Sequence, residues 1–301
     1  MLSPGLDMTS THRQGFMDVS IRPYSCLCWK SDIKNVLRVF IVEAENLIAK
    51  DNFMGGMIKG KSDPYVVIRS GGKSVQTRVI KETLNPRWDQ TFEITVTDVP
   101  GQDIEFLLFD KDIDKDDSLG SCKVAVKNVL KQKSIDEWLP LEAVKSGRLH
   151  VKAECLSQLT DPSLLDQVQK VNSLIQSAQS EEFSTALLCV YLERASNLPV
   201  KKGAKLPSAS AQITVRKASY KTKVTTKNTE PVWEESCVFL VKNPKNETLQ
   251  LQVQDESNKS LGSLTMPLSD LLTAESMTRD GWFPLTSPGA NSEILMRLTL
   301  R

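Results

Sequence analysis

Thr83-Leu84-Asn85-Pro86-Arg87-Trp88 decides the architecture, because it returns later in the chain as Asn228-Thr229-Glu230-Pro231-Val232-Trp233. Three more segments recur in the same order: Glu45-Asn46-Leu47 as Ser196-Asn197-Leu198, Leu119-Gly120-Ser121 as Leu261-Gly262-Ser263, and Glu137-Trp138-Leu139-Pro140-Leu141 as Gly281-Trp282-Phe283-Pro284-Leu285. Four anchors in one order define two copies of a single unit. The spacing contracts after the first pair, so the second copy is expected to carry shorter loops. Each proline stands two residues before its tryptophan, where it ends a turn ahead of the next strand. Trp88 and Trp233 are read as core residues rather than ligand contacts.

Outward from these anchors the pattern is β. Residues 37–42, 64–68, 91–96 and 104–109 are short β-branched or aromatic runs, mostly alternating and separated by Gly, Pro, Asn and Asp clusters. Many short strands at near-regular spacing predict an all-β chain of two tandem antiparallel sandwiches. A length of 301 residues suits two domains at ~150 residues each. The boundaries drawn are a leader at 1–35, expected to be disordered and given no function, a first domain at 36–156, a linker at 157–184 and a second domain at 185–301. In the linker, Leu164, Leu165, Val168, Val171 and Ile175 share one helical face behind Asp161 as N-cap and Pro162 in the first turn. A short helix packing that apolar stripe against its own protein is expected there.

Composition narrows the functional classes. The net charge is only +1, so attraction to an anionic surface has to come from local clusters. The six cysteines are spread thinly, and Cys26-Leu27-Cys28 lacks zinc-site spacing, so reduced thiols are expected. No apolar run reaches the ~20 residues of a spanning helix, and residues 1–35 lack signal-peptide order. His12 and His150 are the two histidines, and neither sits in a nucleophile–base arrangement, so the chain is not expected to be an enzyme. No broad basic stripe interleaves with aromatics, so nucleic acid is not an expected partner.

The most informative chemistry lies in Asp110-Lys111-Asp112-Ile113-Asp114-Lys115-Asp116-Asp117, which follows a convincing strand. Five aspartates this close repel one another unless a cation or water compensates them. Asp51 and Asp63 stand at the ends of other strands. A sandwich that gathers these loops at one end would bring Asp51, Asp63, Asp110 and Asp112 together. Calcium takes ~6–8 oxygens in irregular geometry, which suits carboxylates from separate loops. The spacing is not that of an EF-hand, since the following Gly and late Glu are missing.

Lys61-Ser62-Asp63-Pro64-Tyr65-Val66, the Asn85-Pro86-Arg87-Trp88 segment and the Asp-x-Asp run ending in Leu119-Gly120 resemble C2 domains. With the segments at 59–65 and 171–176, residues 36–301 resemble extended synaptotagmins, most closely the third and fourth C2 domains of the family's longest member. The resemblance implies two C2-type sandwiches and Ca2+ as cofactor. By position it assigns Asp51, Asp63, Asp110 and Asp112 as ligands, with Asp114, Asp116 or Asp117 open as the last. The carbonyls of Lys50 and Lys111 are candidates for further oxygens. It also implies anionic phospholipid membranes as partner, assembly with further or related chains, and a cytoplasmic place peripheral on membranes. Endoplasmic reticulum–plasma membrane tethering and lipid transport belong to the family. There is no room for the family's lipid-transfer domain before residue 36, so a truncated or alternative form is expected.

Such a cup repels an anionic membrane until a cation inverts its field. Phe53, Met54, Met57, Ile58 and Ile113 flank it as insertion candidates, while Leu119 is expected to be buried. Lys59, Lys61, Lys73, Arg78 and Lys81 add about 1 kcal/mol each near an anionic leaflet, or are plain solvated side chains. The second copy reads Pro199-Val200-Lys201-Lys202, Ser208, Asp255 and Ser257 at the ligand positions, so no metal is expected there. Arg216, Lys217, Lys221, Lys223 and Lys227 form a candidate basic patch for lipid or an acidic partner, with a solvated face as the equal alternative. The rival readings are a calcium-independent interaction scaffold and a regulatory fragment of a lipid-signalling enzyme.

Overall fold

The computed structural model describes residues 33–49, 52–53, 58–97, 100–159, 161–176, 182–200, 205–286 and 291–301. In the first module the strands are β1 (Ile33–Glu45), β2 (Asn52–Phe53), β3 (Ile58–Lys59), β4 (Pro64–Ser70), β5 (Lys73–Gln76), β6 (Arg87–Thr97), β7 (Asp103–Asp110), β8 (Asp117–Ala125), β9 (Ser134–Pro140) and β10 (Arg148–Leu156). Two four-stranded sheets, ordered β6-β1-β10-β9 and β5-β4-β7-β8, are antiparallel throughout. Their inner faces alternate with the period of the strand and enclose Leu37, Ile41, Ile68, Trp88, Phe106, Leu108 and Leu119. A short helix α1 (Val126–Gln132) follows β8. β1 opens at Ile33, inside the expected leader, because Ile33 pairs with Thr97 on the β6 ladder.

The second module repeats this order with β11 (Ala186–Ser196), β12 (Ser210–Val215), β13 (Ala218–Lys221), β14 (Val232–Val241), β15 (Thr248–Gln254), β16 (Ser260–Pro267), β17 (Thr278–Pro284) and β18 (Glu293–Leu300). Its sheets are β14-β11-β18-β17 and β13-β12-β15-β16. The fold class is therefore all-β, two C2-type sandwiches with a short helix between them.

The recurring segments are backbone stitches. Ala44 N–H donates to Pro86 O at 2.9 Å and Leu47 N–H to Leu84 O at 3.1 Å; Ala195 N–H donates to Pro231 O at 3.0 Å and Leu198 N–H to Thr229 O at 3.1 Å. Asn46 and Asn197 sit at φ 55° and 53°, a left-handed turn that asparagine tolerates better than most residues. Gly120 has φ 110°, and a Cβ there would lie 2.8 Å from Val144 Cγ2, so the Leu-Gly anchor requires glycine. Trp88 and Trp233 are buried, and their indole N–H groups donate to Arg78 O and Ala209 O.

The linker corrects one expectation. Asp161 Oδ1 does cap the N-terminus, accepting from Ser163 N–H at 2.9 Å, and α2 runs Leu165–Ile175. The face that packs inward is narrower than the apolar stripe, because Leu165 and Asn172 are buried while Val171, Leu174 and Ile175 are exposed. The inward row ends in a polar residue because Asn172 makes buried hydrogen bonds. Its Oδ1 accepts from Arg38 Nη2 at 3.1 Å and its Nδ2 donates to Ser184 O at 3.0 Å. Arg38 also pairs with Glu93 at 2.9 Å, and Ser184 N–H donates to Glu93 Oε2 at 2.7 Å, which closes a ring from β1 and β6 through the helix to the entry of the second module. Phe183 covers the guanidinium at 4.1 Å. Beside this ring Val36 and Leu156 pack against Leu187, Cys189, Val238 and Leu240 of the second module.

Candidate metal centre

Antiparallel pairing places the loop-bearing strand ends side by side: Pro64 lies opposite Asp110 on β4–β7, and Asp110 opposite Asp117 on β7–β8. Asp63 precedes β4, so its backbone N–H reaches Asp110 Oδ1 at 2.6 Å. Asp63 O in turn accepts from Lys111 N–H at 3.1 Å, and Asp63 Oδ1 accepts from Glu82 N–H at 2.7 Å. Ser62 Oγ donates to Ile48 O at 3.4 Å, which ties in the base of the loop carrying residues 50 and 51. Lys50, Asp51, Met54 and Met57 lie outside the described residues, as do the side chains of Phe53 and Ile58 on the small β2–β3 hairpin.

Asp110 is 1% exposed, and its Oδ2 is buried with no hydrogen-bond partner. An ionised carboxylate oxygen held dry and unpaired is costly, and a cation is the partner that would compensate it. Asp112 responds to the same crowding. Its carboxyl is held above the usual aspartate range, first by desolvation and then by the charges of Asp110, Asp117 and Asp116. Asp116 behaves oppositely. Its Oδ2 accepts from Tyr65 Oη at 2.6 Å, Lys111 Nζ lies 3.1 Å from both of its oxygens, and its Oδ1 accepts from Asp112 N–H at 3.1 Å. Those hydrogen bonds, Tyr65 first, pull its pKa below the usual range. The Tyr65 hydroxyl is correspondingly raised to about 12, by burial first and then by Asp116.

Of the three open choices for a last ligand, Asp116 is thus already engaged; Asp114 and Asp117 are both exposed, and Asp117 stands in register with Asp110. Among the described residues no three acidic, cysteine or histidine side chains close into a finished metal cage. Asp63, Asp110 and Asp112 nevertheless present the oxygen donors calcium takes, with one buried oxygen unused. Ile113, at the tip of this loop, is 103% exposed.

The second module handles its one retained aspartate differently. Asp255 Oδ1 accepts from Ser257 N–H, Ser257 Oγ and Lys259 N–H at 2.9, 2.7 and 2.9 Å. It caps its own turn, and the Ser257 hydroxyl is the first of the contacts that lower its pKa. Ser208 stands where the first module has Asp63 and lies 3.5 Å from Lys227 N–H. The candidate basic patch does not form one site. Arg216 and Lys217 turn the hairpin at the far end of β12, where Arg216 contacts Glu182 and Glu247 at 3.3 Å each, while Lys227 lies at the loop end. Lys221 at the end of the edge strand β13 is exposed, as are Lys217 in the turn before it and Lys223 after it. Nothing in the local charge pattern signals the Arg216 pairing, since Glu247 is far along the chain.

Two eight-stranded sandwiches whose loops gather at one end define a tandem C2-domain protein, and residues 35–141 and 186–285 match the C2 domain family. Extended synaptotagmin-1 of Mus musculus is 50% identical over 267 residues, which is 89% of this chain and 24% of that protein. Extended synaptotagmin-2 of Homo sapiens is 43% identical over 270 residues, covering 29% of it. A solved, calcium-bound structure of the A and B members of the C2 domains of extended synaptotagmin 2 is 42% identical with a TM-score of 0.77, covering 89% of this chain and 97% of that one. The chain belongs to the extended synaptotagmin family, and it spans about a quarter of the length of its extended synaptotagmin-1 relatives. Among the described residues no helix is long and apolar enough to cross a membrane.

Proposed function

We propose that the chain is a calcium-dependent phospholipid-binding module. Asp51, Asp63, Asp110, Asp112 and Asp117 would hold the ion, with the carbonyls of Lys50 and Lys111. The observation that carries this reading is the buried, unpartnered Oδ2 of Asp110 beside Asp63. The calcium-bound state of the extended synaptotagmin 2 tandem supports it. Bound calcium would neutralise the cup and offer open coordination positions to lipid phosphate. Ile113 would then enter the interface, with Phe53, Met54, Met57 and Ile58 beside it. In the second module Lys217, Lys221, Lys223 and Lys227 add calcium-independent attraction to an anionic leaflet, without Arg216.

In this reading the first module runs from the start of β1 to residue 156 and the second spans 185–301, on either side of the 157–184 linker, and the two correspond to the third and fourth C2 domains of the longest family member. The chain acts peripherally on membranes, within tethers between the endoplasmic reticulum and the plasma membrane and the lipid transport they support, and alongside related chains. Co-sedimentation with phosphatidylserine-containing vesicles, in calcium and in chelator, tests the core of it. Binding should require calcium and be lost in Asp110→Asn/Asp112→Asn. Equal binding in chelator would overturn the reading.

A further inference from the structure

The loop between β7 and β8 of the first module carries its own cation. Lys111 is rooted between two proposed ligands, Asp110 and Asp112, and its backbone N–H is fixed on Asp63 O at 3.1 Å. From there its ammonium reaches 3.1 Å from both oxygens of Asp116. Asp116 cannot drift away from it, because Tyr65 Oη and Asp112 N–H hold the same carboxylate. We infer that Lys111 is a tethered counter-ion that sets the calcium threshold of the first module. The proposal rests on the calcium reading above.

Without calcium, one positive charge inside a loop of five aspartates offsets part of their mutual repulsion and keeps the loop ordered. With calcium arriving, the same charge opposes the ion, and Asp116 is withheld from it. The Lys111 side chain is about half exposed, so solvent screens the effect and keeps it moderate. Replacing the side chain leaves the backbone carbonyl, a proposed ligand, in place. Lys115 on the same loop is exposed and provides a control of equal charge.

The test is calcium calorimetry on the full chain, paired with melting temperatures in chelator. Lys111→Gln should bind calcium about two- to fivefold tighter than wild type and melt lower in chelator. Lys115→Gln should tighten binding by a smaller factor. Lys111→Arg, which keeps charge and pairing, should match wild type. Equal tightening by Lys111→Gln and Lys115→Gln would mean that only net charge matters, and would overturn the inference. So would weaker calcium binding in Lys111→Gln, which would make the side chain purely structural. If wild type itself takes up no calcium, the calcium reading fails, and this inference fails with it. If wild type binds and Lys111→Gln does not exceed Lys115→Gln, only the inference fails.

Discussion

Asp110 accepts the backbone N–H of Asp63 with one carboxylate oxygen, at 2.6 Å, and keeps the other buried and unpaired. One strand end is thereby latched to its neighbour while a charge is left for something else to satisfy. Asparagine at 110 retains the latch and removes the charge. Asp110→Asn should therefore raise the melting temperature in chelator by about 2–4 °C, on the scale of 1 kcal/mol for a chain of this size, and abolish calcium-induced stabilisation. Differential scanning calorimetry with and without calcium reads both. A lower melting temperature in chelator would show that the buried amide donors cost more than the carboxylate they replace.

The two perturbed aspartates of this loop titrate with opposite signs. Asp112 has a folded pKa above the ordinary 3.8, so its contribution to stability in chelator falls as pH rises from that value through the folded one. Calcium needs Asp112 ionised, and affinity should begin to drop at a pH above the ordinary aspartate range. Asp116 has a lowered pKa; its contribution is present above the ordinary value and is lost as pH falls through the folded one. Calcium titrations taken downward from neutral pH should show the early loss, and Asp112→Asn should remove the matching pH dependence of the melting temperature in chelator.

Arg38 and Glu93 have side chains only 6% and 7% exposed. Arg38→Met strands the Glu93 charge and should cost about 3–5 kcal/mol in denaturant unfolding, while Arg38→Met/Glu93→Leu should recover much of it. Asn172→Ala removes the link between the helix and Ser184, at about 1–3 kcal/mol. Its more telling effect should be a broader inter-module distance distribution in solution scattering.

Ile113 projects fully into solvent at the tip of the loop. Ile113→Asp should leave the calorimetric calcium affinity within about twofold of wild type and weaken vesicle binding about tenfold or more. Unchanged vesicle binding would remove this residue from the docking surface.

The repeated tryptophans should separate by burial. Trp88→Ala should cost about 3–5 kcal/mol. Trp282, half-exposed with Arg194 lying 5.5 Å over its ring, should cost no more than about 1 kcal/mol when replaced by alanine. Chemical denaturation of the two variants makes the comparison.

How much of this was legible beforehand depends on whether a cause was local in the chain. Strands, turns and the doubled anchor at 83–88 were readable because alternation and the proline before each tryptophan are local constraints. The same locality made Asp63 and Asp110 readable as strand-end residues. It could not separate Asp116 from Asp117, because what distinguishes them is Tyr65, which comes from another strand. Nor could it separate Arg216 from the lysines near it, since Glu182 and Glu247 reach Arg216 only in the folded chain. The linker helix was legible as a helix and misjudged as a face, because Asn172 is buried by pairing with Arg38 rather than by its own hydrophobicity.

The sequence by itself thus determined two β-sandwiches, their order, and the acidic character of one set of loops against the other, all consequences of periodicity and composition. The tertiary structure decided which carboxylate oxygen is left without a partner, which aspartate is already engaged, and how the linker closes on both modules. Those outcomes depend on pairs such as Asp63–Asp110, Tyr65–Asp116 and Arg38–Asn172, whose members are brought together by antiparallel register and packing rather than by proximity along the chain.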